Sequence, residues 1–385
     1  MIFSLEALQA FHGDSLLVHA GTAAEPVLLL VDGGPSGTWE TSLGPRLEEL
    51  RAERAGNGAL QIDLAMVSHI DSDHVAGMVD FAGELVSEQA DSQPLRYAVG
   101  TLWHNSFDDV LGNEADELRA AAVEVLSTPL DDRVADEVRA AGLAVVASVA
   151  EGRELRDQAS TLGWTINEPF DGPVVLPREG VRTITLGPLK LTVVCPHAEQ
   201  LGKLRKAWDK WLKEHPKAAA NPAAAQASRD NSPYNLSSIV VLAECDGKRM
   251  LLTGDARDDH ILAGLEEAGI AQDGQTHVDI LKLPHHGSIR NIRPEFFEHV
   301  TADHYVISAD GRHGNPETET LSLIAEGRQD DDFTIHLTNR VGTDDLEVRL
   351  DAFLAAKQQS GRTYGVEFRD EAKHSLRIDL LEKAS

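Results

Sequence analysis

Apolar positions fall in short runs separated by turn residues along most of the chain. Residues 15–19 and 27–31 are two such runs, the second closed by Asp32-Gly33-Gly34-Pro35, and both read as strands. Leu47 and Leu50 share one face of a helix expected over residues 45–55. Residues 62–67 read as a buried strand that runs directly into Ser68-His69-Ile70-Asp71-Ser72-Asp73-His74, with a helix expected from Val75. Residues 106–159 carry helical spacing and an acidic, solvated face, and read as a helical insertion.

Strand-like runs resume at residues 181–186 and 189–195. Further runs lie at 238–245 and 249–253, joined by the hairpin turn Asp246-Gly247. Others follow at 278–283, 305–308, 333–338, 364–368 and 376–381, with a helix expected near 260–268. No repeat of fixed period is present. Strands mixed with helices throughout predict a layered α/β or α+β domain.

One segment departs from this pattern. Residues 203–217 carry six Lys or Arg against Asp209 and Glu214, and Leu204, Ala207, Trp208, Trp211 and Leu212 line one helical face. Its cations could bind phosphates while a tryptophan stacks a base. The favoured alternative is an amphipathic surface helix whose tryptophans pack on the body and whose charges are solvated. The Ala/Pro/Asn-rich stretch 218–227 that follows is expected to be flexible.

Composition narrows the class. The 385 residues are 42% hydrophobic and 25% charged, which excludes a disordered or low-complexity protein. Lys plus Arg is 35 and Asp plus Glu is 63, a net charge of −28 that disfavours coating nucleic acid or anionic membrane with the whole surface. Such a surface could mask a site or recruit a basic protein partner. Cys195 and Cys245 each sit in an apolar run and read as buried thiols, which fits a cytoplasmic setting. No signal-peptide pattern opens the chain, and no apolar run reaches the ~18 residues of a membrane span.

Sixteen histidines justify a search for metal chemistry. Three predicted strands end in metal-type residues: His69-x-Asp71-x-Asp73-His74, Asp255, and His285-His286. Residues two apart on an extended segment face the same way, so His69 and Asp71 can chelate one ion. Asp73 and His74 lie at the turn into the helix and can reach a second, with Asp255 bridging through its two oxygens. Taken alone, Asp73 could simply cap that helix. Four ligand-type residues within six positions after a strand are harder to reach by chance. Imidazole plus carboxylate suits Zn, Mn or Fe better than Ca or Mg.

The run Ser-His-Ile-Asp-Ser-Asp-His with Gly77 resembles the H-x-D-x-D-H signature of the metallo-β-lactamase fold superfamily. More narrowly, it resembles the hydrolase domain of ComEC-type DNA-uptake proteins. Gly13-Asp14-Ser15, Val31-Asp32-Gly33-Gly34, Asn235-Leu236-Ser237-Ser238, Thr253-Gly254-Asp255 and Leu281-Lys282-Leu283-Pro284-His285-His286-Gly287-Ser288 resemble that group's other motifs, in the same order. The resemblance implies an αββα sandwich with a two-metal site, Zn or Mn, at one edge. It implies His69 and Asp71 on the first ion, Asp73, His74 and His286 on the second, Asp255 as bridge and Asp73 as the group that orients or deprotonates water. His285 is a ligand, a donor behind the ligands or a substrate contact.

The sequence departs from the pattern in two places. The family's further histidine on the first ion has only His197, in Cys195-Pro196-His197, as a candidate, and a surface histidine is the equal alternative. The usual Gly-His-Pro is replaced by Gly314-Asn315-Pro316, with His313 just before. Lys282, Ser288, His313 and Asn315 are candidate substrate contacts. The membrane channel of the uptake proteins has no counterpart, so an uptake role is not implied. The expected activity is that of a dinuclear metal-dependent hydrolase, phosphodiesterase or nuclease-like, on a phosphodiester or nucleotide. A non-phosphate ester, thioester, lactone or amide is the alternative substrate class. A metal-stabilised partner-binding module is a third reading.

Overall fold

The computed structural model describes residues 1–106, 149–177, 183–198, 201, 237–328 and 330–381. The basic segment 203–217, the stretch 218–227, Asn235 and most of the expected insertion lie outside these residues. The described end of that insertion, residues 149–159, is helical, and the helix runs on to 162.

Two sheets pack face to face. The first contains β1 (Ile2–Leu8), β2 (Ser15–Gly21), β3 (Pro26–Gly33), β4 (Leu60–Val67), β5 (Tyr97–His104) and β6 (Thr165–Ile166). The second is built from β7 (Thr183–Leu186), β8 (Leu189–Cys195), β9 (Val240–Cys245), β10 (Lys248–Leu252), β11 (Thr276–Lys282), β12 (Val300–Ile307), β13 (Thr334–Leu337) and β14 (Gly365–Phe368). The last strand, β15 (Ser375–Leu381), returns to the first sheet and pairs antiparallel with β1. The orders are β15-β1-β2-β3-β4-β5-β6 and β14-β13-β12-β11-β10-β9-β8-β7.

Alternation along the strands explains the layers. In β2, Leu16 and Val18 point into the core between the sheets, where Leu191, Val193, Val241 and Leu252 meet them. Leu17 points the other way, into a layer with Leu47 and Leu50 of helix α1 (Gly44–Arg54) and Val75 and Met78 of α2 (Ser72–Ala90). On the far side, Ile261 and Leu265 of α3 (Asp258–Glu267) and Leu346 and Leu350 of α4 (Leu346–Ser360) cover Leu281 and Tyr305. Both faces of each sheet are covered, so the central strands read as unbroken apolar runs. The result is a four-layer αββα sandwich, the architecture that the resemblance implied.

The fold also decides where loops converge. β3, β4 and β5 run parallel, as do β10, β11 and β12. The ends of β3 and β4 and of β10, β11 and β12 therefore open onto one edge, the usual place for a site in parallel sheets. Helix α2 begins at Ser72, three residues before the Val75 start expected from the apolar pattern, so Asp73 and His74 sit in its first turn. Its backbone closes on the end of β3. A Cβ on Gly77 would stand 2.0 Å from the Gly33 carbonyl oxygen, and one on Gly33 2.1 Å from the Met78 nitrogen. Only glycine at both positions lets the helix start this close to the strand.

Candidate metal centre

Seven of the ligand-type residues named from the sequence meet at that edge. His69, Asp71, Asp73 and His74 come from the β4–α2 junction, Asp255 follows β10, and His285 and His286 follow β11. His285 (φ 48°, ψ 49°) and His286 (φ 54°, ψ 23°) are both left-handed, and Gly287 follows at φ 79°. Two consecutive non-glycine residues in this region are uncommon and costly, a pattern found where surrounding structure dictates side-chain aim. Here both imidazoles turn toward Asp255.

Asp255 sorts the histidines into two pairs. Its Oδ1 lies 3.4 Å from His74 Nε2 and 3.5 Å from His286 Nε2. Its Oδ2 lies 3.7 Å from His69 Nε2 and 3.6 Å from His285 Nε2. A further carboxylate joins each pair. Asp73 Oδ2 is 3.5 Å from His286 Nε2, and Asp71 Oδ2 is 3.8 Å from His69 Nε2. Donor atoms around one four-coordinate ion at bond lengths of about 2.0–2.1 Å stand roughly 3.3–3.5 Å apart. The spacings here match that more closely than they match hydrogen bonds. His69 Nε2 and Asp255 Oδ1 are buried without a hydrogen-bond partner, as groups awaiting a cation would be.

The backs of the rings are held. Asp32, buried at the end of β3, takes 2.6 Å and 2.7 Å hydrogen bonds from the Ser68 amide and hydroxyl and lies 2.9 Å from His74 Nδ1. His286 Nδ1 lies 3.0 Å from the Ser308 carbonyl oxygen. Such contacts at Nδ1 orient the ring and leave Nε2 for an ion. Asp14, at the start of β2, is 3.4 Å from His286 Nδ1 and 2.6 Å from Lys282 Nζ. Burial raises the Asp14 carboxyl, but Lys282, His286 and His74 together outweigh it and hold it at about 2. Burial and the neighbouring His74 bring the His69 imidazole down to about 3, so it stays neutral and able to ligate. The wall is thus rich in carboxylates, and among the described residues Lys282, in contact with Asp14, is its one fixed cation.

The other residues named from the sequence are engaged with different partners. His197 Nδ1 is 2.9 Å from Glu267 Oε2 on α3. Lys282 is fully buried, its ammonium directed to Asp14 rather than to solvent. Ser288 Oγ is 3.4 Å from Glu317 Oε2, and Asn315 is buried with its amide donating to the Arg312 carbonyl at 3.2 Å. The His313 ring stands edge-on to His12, with centroids 6.4 Å apart. Burial lowers the His12 imidazole below its ordinary value, and Asp73 and His286 are near enough to act on its charge.

Sequence reasoning passed over Asp14, Asp32 and His12 as site residues. The first two stand in the Gly13-Asp14-Ser15 and Asp32-Gly33 motifs, where the sequence indicates only a strand start and a turn. Cys195 and Cys245 are buried, free thiols. Among the described residues no helix is long and apolar enough to cross a membrane.

No known family profile matches the chain, and no curated protein matches it. Solved structures do. Zn(2+)-bound PqqB from Methylobacterium extorquens shares 12% identity over 98% of this chain and 100% of its own, with a TM-score of 0.38. CmlA, a diiron beta-hydroxylase from Streptomyces venezuelae, shares 13% over 98% of this chain and 54% of its own, also at 0.38. A protein of unknown function from Enterococcus faecalis V583 shares 11% over 96% and 78%, at 0.30. Their metals and activities belong to those proteins.

Proposed function

We propose that this chain is a dinuclear metal-dependent hydrolase of phosphodiesters, related in its site to the ComEC-type hydrolase domain. The carrying observation is the division of four imidazoles between the two oxygens of Asp255. His69, Asp71, His285 and Asp255 Oδ2 would hold one ion. Asp73, His74, His286 and Asp255 Oδ1 would hold the other. Histidine with carboxylate favours Zn or Mn. Two such ions supply Lewis acidity to a phosphoryl group and lower the pKa of water.

The chain's own groups do the rest. Asp255 fixes the spacing of the two ligand sets. Asp32 and the Ser308 carbonyl keep His74 and His286 in one orientation. The Asp73 side chain is 23% exposed, against 4% for Asp255, so its carboxylate can orient water at the mouth and accept its proton. His285 is also partly open, at 28%, and can touch substrate from the ion-facing side.

The test is metal content by mass spectrometry together with cleavage of bis(p-nitrophenyl) phosphate and a short single-stranded DNA. Two ions per chain and metal-dependent cleavage are expected, with Asp255→Asn holding one ion or none and losing cleavage. Two bound ions with no cleavage of either substrate would overturn the phosphodiester reading and point to a non-phosphate ester.

A further inference from the structure

We infer that His12 and Arg312 form an anion-binding subsite beside the metal centre, which takes a phosphate group of the substrate. The inference rests on the hydrolase reading and names what that site recognises. Arg312 Nη1 lies 3.4 Å from His12 Nε2. Among the described residues no carboxylate comes within 4.0 Å of the Arg312 guanidinium, although acids outnumber bases 63 to 35 in this chain. An arginine with no acid partner, beside a half-buried histidine, leaves donors for an oxyanion. His12 Nδ1 adds a second reason, because it is buried with no hydrogen-bond partner.

The position is built rather than accidental. His12 belongs to the β1–β2 turn of the first sheet, closed by the Gly13 amide donating to the Ala10 carbonyl at 2.9 Å. That turn sits on the metal ligands, with the Asp14 amide 3.3 Å from the Asp73 carbonyl oxygen. Arg312 belongs to the loop after β12 of the second sheet. Its amide donates to Asp310 Oδ1 at 3.0 Å. Arg349 of α4 staples the same loop, donating to the Gly314 and Pro316 carbonyls at 2.6 and 2.8 Å. Ser308 Oγ donates to the Gly13 carbonyl at 2.6 Å and joins the two loops. Arg312 is therefore exposed on a fixed backbone at the rim, with Asp73 close behind His12. A substrate reaching the ions meets this pair. A negative surface elsewhere confines anion binding to it.

The experiment titrates the full-length, metal-loaded protein with thymidine 5′-monophosphate and with thymidine by calorimetry. Wild type, Arg312→Gln, Arg312→Lys and His12→Gln are compared, and metal content is measured on each sample. The expected result is nucleotide affinity about tenfold lower in Arg312→Gln, partly restored in Arg312→Lys, with thymidine binding and metal content unchanged. Equal nucleotide affinity in wild type and Arg312→Gln would overturn the subsite, as would a wild type that does not distinguish nucleotide from nucleoside. A wild type that takes up no metal would instead defeat the hydrolase reading, while the Arg312→Gln comparison still decides the subsite.

Discussion

Two buried polar clusters in this molecule have opposite electrostatic designs. Glu6 lies in the middle of β1, facing α1. Arg46 grips it at 2.8 Å through both Nε and Nη2, Arg377 of β15 reaches it at 3.1 Å, His19 Nε2 lies 3.0 Å away and the Ser375 hydroxyl donates at 2.9 Å. The cluster supplies its own cations and is closed. The cluster at the sheet edge brings together Asp14, Asp32, Asp71, Asp73 and Asp255 with Lys282 as its fixed cation, and its imidazoles turn their Nε2 atoms inward. Burial is similar in both, so burial alone does not mark a site. What distinguishes the site is carboxylate in excess of the protein's own positive charge, with donors spaced for an ion.

The comparison can be broken most decisively at Asp255. Asp255→Asn is expected to lower bound metal from two ions to one or none, with activity falling more than about 100-fold, beyond the 10–100-fold typical of groups behind the ligands. Metal analysis with kinetics checks this. Glu6→Ala should do the reverse. It leaves Arg46 and His19 without their shared partner and is expected to cost about 3 kcal/mol or more in urea unfolding, with two ions still bound.

An intermediate effect is expected at Asp32→Asn, which keeps the shape but weakens the hold on His74 Nδ1. Metal affinity should fall about 10–100-fold, measured by competition with a chelator. The pH dependence sharpens the closed cluster. Burial raises the Glu6 carboxyl, but Arg46 and His19 outweigh it and hold it well below its ordinary value. A depressed carboxyl adds stability above its unfolded value of about 4.5, which is lost as pH falls below that. The stability gap between wild type and Glu6→Gln should therefore be widest at pH 6–7 and narrow steadily toward pH 3. The smallest effect is expected at His197→Ala, where breaking the surface pair with Glu267 should change stability by less than about 1 kcal/mol and leave two ions bound.

The same contrast explains what could be read from sequence. His69, Asp71, Asp73 and His74 are legible because one strand end carries them all, and alternation along an extended segment tells which can share an ion. Asp14 and Asp32 are not legible in this way. Each is a single acid at a turn, and its relation to His286 or His74 exists only after distant strands pair. β1 is not legible because Glu6 interrupts its apolar run, and nothing local reveals that Arg46 and Arg377 neutralise it. α4 is not legible for a different reason. Leu346, Val348 and Leu350 repeat every second residue, as in a strand, yet Val348 is 66% exposed while Leu346, Leu350 and Phe353 hold the helical face. β5 mixes Gly100 and Thr101 with its apolar residues and gives no clear period. The layered strand-and-helix class is legible because the central strands are apolar runs, whereas the sandwich is implied only by the resemblance of the motifs.

The return of β15 to the first sheet bears on the order in which the protein is made. Every proposed ion-holding residue has been synthesised once His286 is added, yet β1 lacks its outer neighbour until residues 375–381 follow. The chain thus passes through a stage at which the ion-binding groups exist while an edge of their sheet offers unpaired backbone to any other strand. Arg377 and Ser375 reach Glu6 only when that edge is covered. The final strand is both a seal against mispairing and the step that completes the charge balance beneath α1.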